Sequence, residues 1–415
     1  MGDRGCAVDL MEASAVETCR SCGAGQLEAL LDLGSTALAN ELPSEPGTDQ
    51  IQYPLGVVLC SACSLVQSSY RVPGRILFGQ GYPYFSSVSP AYLAHARENA
   101  LELIETRALG QKSLVVEVAS NDGYLLKNFV EKGIPVLGID PAEGPAAAAR
   151  DAGVPTSVEY FGSEVAARLR EEEGPADLIL GNNVMAHVDD VNDLAAGVAA
   201  LLHEDGVGVF EAPYVVDLVD RCAFDTIYHE HNCYFSLTAL KSLFERHGLG
   251  LQDVRRLKIH GGSLRIFVGR SGETTPAVES LLASERERGV DSRPYYDSFS
   301  QRVTHIVQTL GSMLREFNSQ GKLVAAYGAA AKGSVISSVA GFGPEDIAYV
   351  VDRNPHKQGR YMPGGTIPIV PPERLESDPP DYLLLFAWNL ADEIRSQLPS
   401  FKGRYIVPIP EPRIL

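Results

Sequence analysis

From Ser113 onward, apolar residues come in short dense runs separated by small and polar turns. Leu114-Val115-Val116-Glu117-Val118 has the pattern of a strand buried on both faces. Gly123 to Lys132 has helical spacing, and Val136-Leu137-Gly138-Ile139-Asp140 is the next buried strand. Ala146 to Ala152 is helical again, and Leu178-Ile179-Leu180 and Val207-Gly208-Val209-Phe210 read as later strands. Strands alternating with helices predict a parallel, doubly wound sheet. The alternation restarts near Gly321. Leu323 to Tyr327 is a strand, Gly328-Ala329-Ala330-Ala331-Lys332-Gly333 is a turn opening a helix, and Ile347 to Asp352 and Tyr382 to Phe386 are strands. Ala91 to Ala108 shows helical periodicity ahead of the first region, and a polar, helix-prone stretch from Thr275 to Gln320 connects the two.

Residues from about Thr18 to Val72 differ. They are turn-rich, with Pro43, Pro46, Gly47 and Pro54, and a piece this small needs a staple because it buries little core. Two CxxC pairs, Cys19/Cys22 and Cys60/Cys63, offer one. Four thiolates can surround a zinc ion tetrahedrally, and a full set of sulfur ligands leaves no open position for catalysis. The metal is therefore expected to be structural; the bland alternative is four free cysteines. Three parts follow: a zinc-binding module over residues 1–75, an α/β domain over 76–270 and a second α/β domain over 271–415.

Composition narrows the function. The chain of 415 residues is 45% hydrophobic and 21% charged, as in ordinary globular proteins. A formal net charge of −18 argues against broad nucleic-acid binding, which needs Lys and Arg to neutralise phosphates. A small phosphorylated ligand needs only one or two placed cations and stays open. There is no apolar run of bilayer length, and Met1 to Val16 lacks the layout of a signal peptide. A cytoplasmic monomer that binds neither membrane nor nucleic acid is expected.

The candidate chemistry lies at strand ends, where open α/β sheets bind ligands. The first strand runs into Glu117-Val118-Ala119-Ser120-Asn121-Asp122-Gly123, in which Ala119 and Asn121 stand where glycines are usual. A dinucleotide pyrophosphate would demand more glycine. Asp140 ends the next strand, where its carboxylate can accept from ribose hydroxyls or merely cap the Pro141 segment. Asn182, Asn183 and His187 follow a later strand. The densest group of proton-transfer side chains is Phe224-Asp225-Thr226-Ile227-Tyr228-His229-Glu230-His231. An imidazole suits general-base work near neutrality, a carboxylate such as Glu230 can orient it, and a phenol such as Tyr228 can donate to an enolate oxygen. A metal site is the competing reading. On an extended segment His229 and His231 would face one side and Glu230 the other, so a third ligand would be missing. Lys332 is either a phosphate contact or a surface lysine.

Taken in order, these features resemble the sugar C-methyltransferases of antibiotic biosynthesis. The resemblance spans nearly the whole chain. It rests on the paired CxxC module, Tyr82-Pro83-Tyr84-Phe85-Ser86-Ser87, Asn121-Asp122-Gly123, Tyr228 to His231, Tyr327 to Lys332 and Phe386-Ala387-Trp388-Asn389. It implies a structural zinc, a central class I domain binding S-adenosyl-L-methionine, and a nucleotide-linked (dTDP) 4-keto deoxysugar held against a Rossmann-like C-terminal domain. The carbon next to the ketone would be methylated through an enolate. By resemblance, His231 is the base and Tyr228, Glu230, His187 and Tyr82 line the reacting centre. Glu117, Ala119, Asn121, Gly123, Asp140, Asn182 and Asn183 serve the methyl donor, and Tyr84, Lys332 and Asn389 serve the sugar nucleotide.

Overall fold

The computed structural model describes residues 13–77 and 85–415; Tyr82 and Tyr84 lie outside the described residues. The central sheet has seven strands. Their order is Gly250–Leu257, Ser263–Gly269, Leu202–Pro213, Ala176–Asn182, Val115–Val118, Val136–Ile139 and Thr156–Ser157. The last five are parallel, as the alternating pattern predicts. Ser263–Gly269 inserts antiparallel beside Leu202–Pro213, so the sheet is mixed at that edge. The buried runs have the predicted chemistry: Val115, Val116, Leu178, Ile179, Leu180 and Val209 are all fully buried.

The C-terminal sheet has six strands, in the order Ile369–Val370, Val350–Val351, Val324–Tyr327, Tyr382–Leu385, Arg404–Val407 and Arg413–Ile414, and all but the last are parallel. The connecting stretch forms two helices, Pro276–Arg288 and Arg293–Ser319. The second buries Tyr296, Phe299, Val303, Ile306, Leu310, Leu314 and Phe317, a three-and-four spacing that makes one apolar face. That face packs against the strand Leu27–Thr36 of the first module and also meets the C-terminal helix Ala331–Ala340, which ties the parts together.

Three local readings change. The turn-rich first module holds two long antiparallel strands, Leu27–Thr36 and Tyr53–Cys60, because its Gly and Pro positions fall at bulges and edges. Its sheet ends in a strand from elsewhere: Cys233–Tyr234 of the central part pairs with Val66–Ser68. The helix expected from Gly123 to Lys132 shrinks to Lys127–Val130 between turns. Among the described residues, no helix is long and apolar enough to cross a membrane.

Candidate active site and metal centre

The four cysteine sulfurs lie within 4.8 Å of one another, with Cys19 and Cys63 at 3.5 Å and Cys22 and Cys60 at 3.5 Å. Tetrahedral zinc with sulfurs at about 2.3 Å sets them about 3.8 Å apart, so the quartet fits the ion with small adjustment. Each knuckle closes on a left-handed residue. Gly23 (φ 74°) donates its N–H to the Cys19 carbonyl at 2.9 Å, and Ser64 (φ 63°) donates to the Cys60 carbonyl at 2.9 Å. The contact between Cys19 and Cys63 favours the thiolate on one sulfur of the pair, lowering the Cys19 thiol and raising that of Cys63. Among the described residues this is the group able to hold a metal.

A cavity of about 580 Å³ opens at the carboxyl ends of the central strands. Ala119, Asn121, Asp140, Asn182, Asn183 and His187 line it. The turn after Val115–Val118 is left-handed without the usual glycines: Ala119 and Asn121 hold φ of 56° and 49°. Asn121 and Asp122 also accept from the main-chain N–H groups of Ser86 and Ser87, which docks the chain after Tyr84 onto this turn. Asp140 is buried at the strand end and accepts from the N–H of Asn121 at 2.9 Å and of Ala142 at 2.8 Å. Burial raises its carboxyl above the usual range. It therefore shapes both turns at the cavity and also faces the space between them. The Asn182 amide is buried with neither nitrogen nor oxygen hydrogen-bonded, which leaves its donor and acceptor for a ligand.

Glu117 and Gly123 are not among the lining residues. Glu117 is fully buried on its strand, and burial drives its carboxyl well up. Gly123 lies beneath the turn, where a Cβ would stand 2.9 Å from Val154 Cγ2. Both serve the turn from below and take no direct place on the wall. Tyr160 and Phe161 do line the cavity, and Tyr160 is 63% exposed. Sequence reading missed them; the one signal was an aromatic pair just after Thr156–Ser157.

The Tyr228–His231 segment is a turn, and the extended reading of it is wrong. His231 donates its main-chain N–H to the Tyr228 carbonyl at 2.8 Å. As a result the two imidazoles point to different neighbours. His229 Nε2 approaches the carbonyls of Tyr53 and Pro54 at 3.3 and 3.2 Å, which fastens the turn to the zinc module. His231 Nδ1 lies 2.7 Å from the Thr226 carbonyl, and its Nε2 lies 2.9 Å from the Tyr228 hydroxyl. A carbonyl only accepts, so Nδ1 carries the proton and Nε2 holds the lone pair.

His231 packs edge-on against His187, with ring centroids 4.7 Å apart. His187 forms part of the cavity wall, so the His231 ring sits directly behind it. Burial lowers His187 to about 4, and its hydrogen bond to the Glu230 main chain only partly offsets that. Glu230 accepts from Asn40 Nδ2 at 2.6 Å; burial pushes it to about 7, against the pull of Asn40 and the Lys357 ammonium. Lys357 is a further group that sequence reading missed; it donates to the Ala329 carbonyl at 2.7 Å. Lys332 comes to the other end of the same loop, 3.8 Å from Asp225, and Asn389 is exposed.

Comparison with known proteins fits this geometry. Three family models match in series: a putative zinc binding domain over residues 19–78, a methyltransferase domain over 92–254 and a C-methyltransferase C-terminal domain over 258–410. The C-methyltransferase NovU of Streptomyces niveus is 38% identical over 408 residues, which covers 96% of this chain and 97% of NovU. Among solved structures, an S-adenosylmethionine-dependent methyltransferase from Clostridium acetobutylicum ATCC 824 matches 43% of this chain and 92% of its own at 13% identity, with a TM-score of 0.36. A magnesium protoporphyrin IX methyltransferase from Synechocystis PCC 6803 with bound SAH matches 48% of this chain and 92% of its own at 15% identity, also with a TM-score of 0.36. With its cysteine quartet, its three family-model matches and 38% identity to NovU over 96% of its length, this chain belongs to the zinc-containing, S-adenosylmethionine-dependent C-methyltransferases.

Proposed function

We propose that this enzyme methylates the carbon next to the ketone of a nucleotide-linked 4-keto deoxysugar, dTDP-linked, in antibiotic sugar biosynthesis. Family membership and the resemblance of the C-terminal motifs support a sugar nucleotide. The single observation that carries the chemistry is the clamp on His231: Nδ1 bonded to the Thr226 carbonyl at 2.7 Å and Nε2 turned to the Tyr228 hydroxyl at 2.9 Å.

A carbon beside a ketone is acidic enough to lose a proton only when a base is positioned and the enolate oxygen is stabilised. His231 Nε2 has the lone pair for that proton. Tyr228 donates its hydroxyl hydrogen bond to His231 in the resting state and would transfer it to the ketone oxygen as charge builds there. The imidazolium that forms keeps its bond to Thr226 and later releases the extra proton to solvent. Glu230, held by Asn40 and near the Lys357 ammonium, would support the turn that carries His231. His187 stays neutral at working pH and does not compete for the proton. Bound in the cavity, S-adenosyl-L-methionine supplies an electrophilic methyl group for the enolate carbon to attack. Asp140, Asn182, Asn183, Ala119 and Asn121 would hold this donor. By the same resemblance Tyr82 would serve the reacting centre, and Tyr84, Lys332 and Asn389 would meet the sugar nucleotide.

Incubation with a panel of nucleotide-linked 4-keto hexoses, read by mass spectrometry, tests the substrate class. A gain of one CH2 on a sugar nucleotide supports it. Methylation only of a keto compound lacking a nucleotide, or of oxygen or nitrogen, sinks it.

A further inference from the structure

The loop bearing the proposed base is fastened to the C-terminal domain through Asp225. This side chain is fully buried. Its Oδ2 accepts from Trp388 Nε1 at 2.6 Å and lies 3.8 Å from Lys332 Nζ. The same ammonium stands 5.2 Å from the centre of the Trp388 ring. A buried carboxylate and a half-buried indole and lysine from two domains thus form one knot. The helix Ala331–Ala340, which carries Lys332, packs on the short turn Phe224–Thr226. Taking a carboxylate out of water costs several kcal/mol unless cations and donors surround it, and here both come from the other domain. Asp225 is also the residue before Thr226, whose carbonyl holds His231 Nδ1 at 2.7 Å. Movement at Asp225 therefore reaches the base through a single peptide unit.

We propose that Asp225 is a positioning residue for methyl transfer: anchored on Trp388 and Lys332, it fixes the Thr226 carbonyl and with it the tautomer and aim of the His231 imidazole. The inference rests on reading His231 as the base. It gives the C-terminal domain a second task besides meeting substrate, because the catalytic loop is aligned only when that domain is docked.

The chain contains one tryptophan, so emission of the intact protein reports on Trp388 alone. The test uses the full-length, zinc-loaded enzyme with Asp225→Ala, Asp225→Asn and Trp388→Phe. The asparagine keeps an acceptor for the indole N–H. The phenylalanine keeps a ring under Lys332 and loses the N–H. For Asp225→Ala without substrate, the emission maximum should move, and the nitrogen NMR signals of His231 should change from a single Nδ1–H form to a mixture. With substrate, kcat should fall about 10- to 100-fold while donor affinity stays within about twofold. Asp225→Asn should recover most of that loss, and Trp388→Phe should lower kcat in the same direction. If the alanine variant does not fold, the other two carry the test. Unchanged tautomer and unchanged kcat in a folded Asp225→Ala protein, or in Trp388→Phe, would overturn the proposal. Emission and tautomer need no substrate. A wild-type enzyme inert on every sugar nucleotide would thus count against the substrate reading and leave this one to be judged on its own.

Discussion

His231 and Thr226 are bound through a single contact, imidazole Nδ1 to main-chain oxygen at 2.7 Å. The contact decides which nitrogen is basic. Because the partner is a carbonyl, the ring cannot flip its tautomer without losing the bond inside a largely buried turn.

Replacing His231 with Asn removes the basic nitrogen at little change in volume. Turnover should fall by about 10²- to 10⁴-fold, the usual range for a general base. Binding of S-adenosyl-L-methionine, measured by calorimetry, should stay within about twofold, because His187 and not His231 forms the cavity wall. A variant that turns over normally removes His231 from the base role.

Asp140 should govern donor affinity. Its carboxylate organises two turns of the cavity through the N–H groups of Asn121 and Ala142. Hydrogen bonds to a charged group contribute about 1.5–3 kcal/mol, so Asp140→Ala should weaken donor binding about 10- to 100-fold. Saturated turnover should suffer less. Asp140→Asn, which keeps one acceptor, should fall between; an unchanged dissociation constant in the alanine variant excludes the residue.

Acid should destabilise the fold through His187. Its folded value is lowered from 6.5 to about 4 by burial, so between those values the unfolded chain binds a proton that the folded chain refuses. Stability is complete above pH 6.5 and is lost as pH falls toward 4, by about 3 kcal/mol in total. Urea midpoints measured across that window should slope less in His187→Gln. Equal slopes in the two proteins would remove His187 as the source.

Zinc should hold the catalytic turn as well as its own module. Cys233–Tyr234, one residue beyond His231, is a strand of the zinc module's sheet, and the Ser68 N–H donates to the intervening Asn232 carbonyl at 2.9 Å. Elemental analysis should find one zinc per chain. Cys60→Ser, or chelation, should lower the unfolding temperature by about 10 °C or more and reduce turnover with it. A metal-free protein with wild-type melting and activity would contradict the staple role.

Much of this was legible in the sequence, and what was missed has physical reasons. The parallel strands could be read because both faces are buried and their apolar runs are continuous, as at Val115-Val116 and Leu178-Ile179-Leu180. The cysteine quartet was legible from spacing alone. The strands Leu27–Thr36 and Tyr53–Cys60 were hidden because their irregular register breaks the alternation. The His229–His231 geometry failed because a turn, set by the His231-to-Tyr228 main-chain bond, replaced the assumed extended chain. Asn40 and Lys357 carry no local signal at all, and Asp225 showed only as a member of the Phe224 to His231 cluster, without its partner. Their roles come from contacts across 190, more than 100 and 163 positions of sequence, which no periodicity encodes.

The central claim is proton removal by His231 from the carbon beside a ketone, and hydrogen exchange at that carbon tests it most directly. The enzyme would be incubated in heavy water with a nucleotide-linked 4-keto sugar and S-adenosylhomocysteine, which has no methyl to give. Wild type should introduce deuterium at the carbon next to the ketone, and His231→Asn should not. Equal deuterium uptake with the two proteins, or normal methylation of that carbon by His231→Asn, would contradict the account.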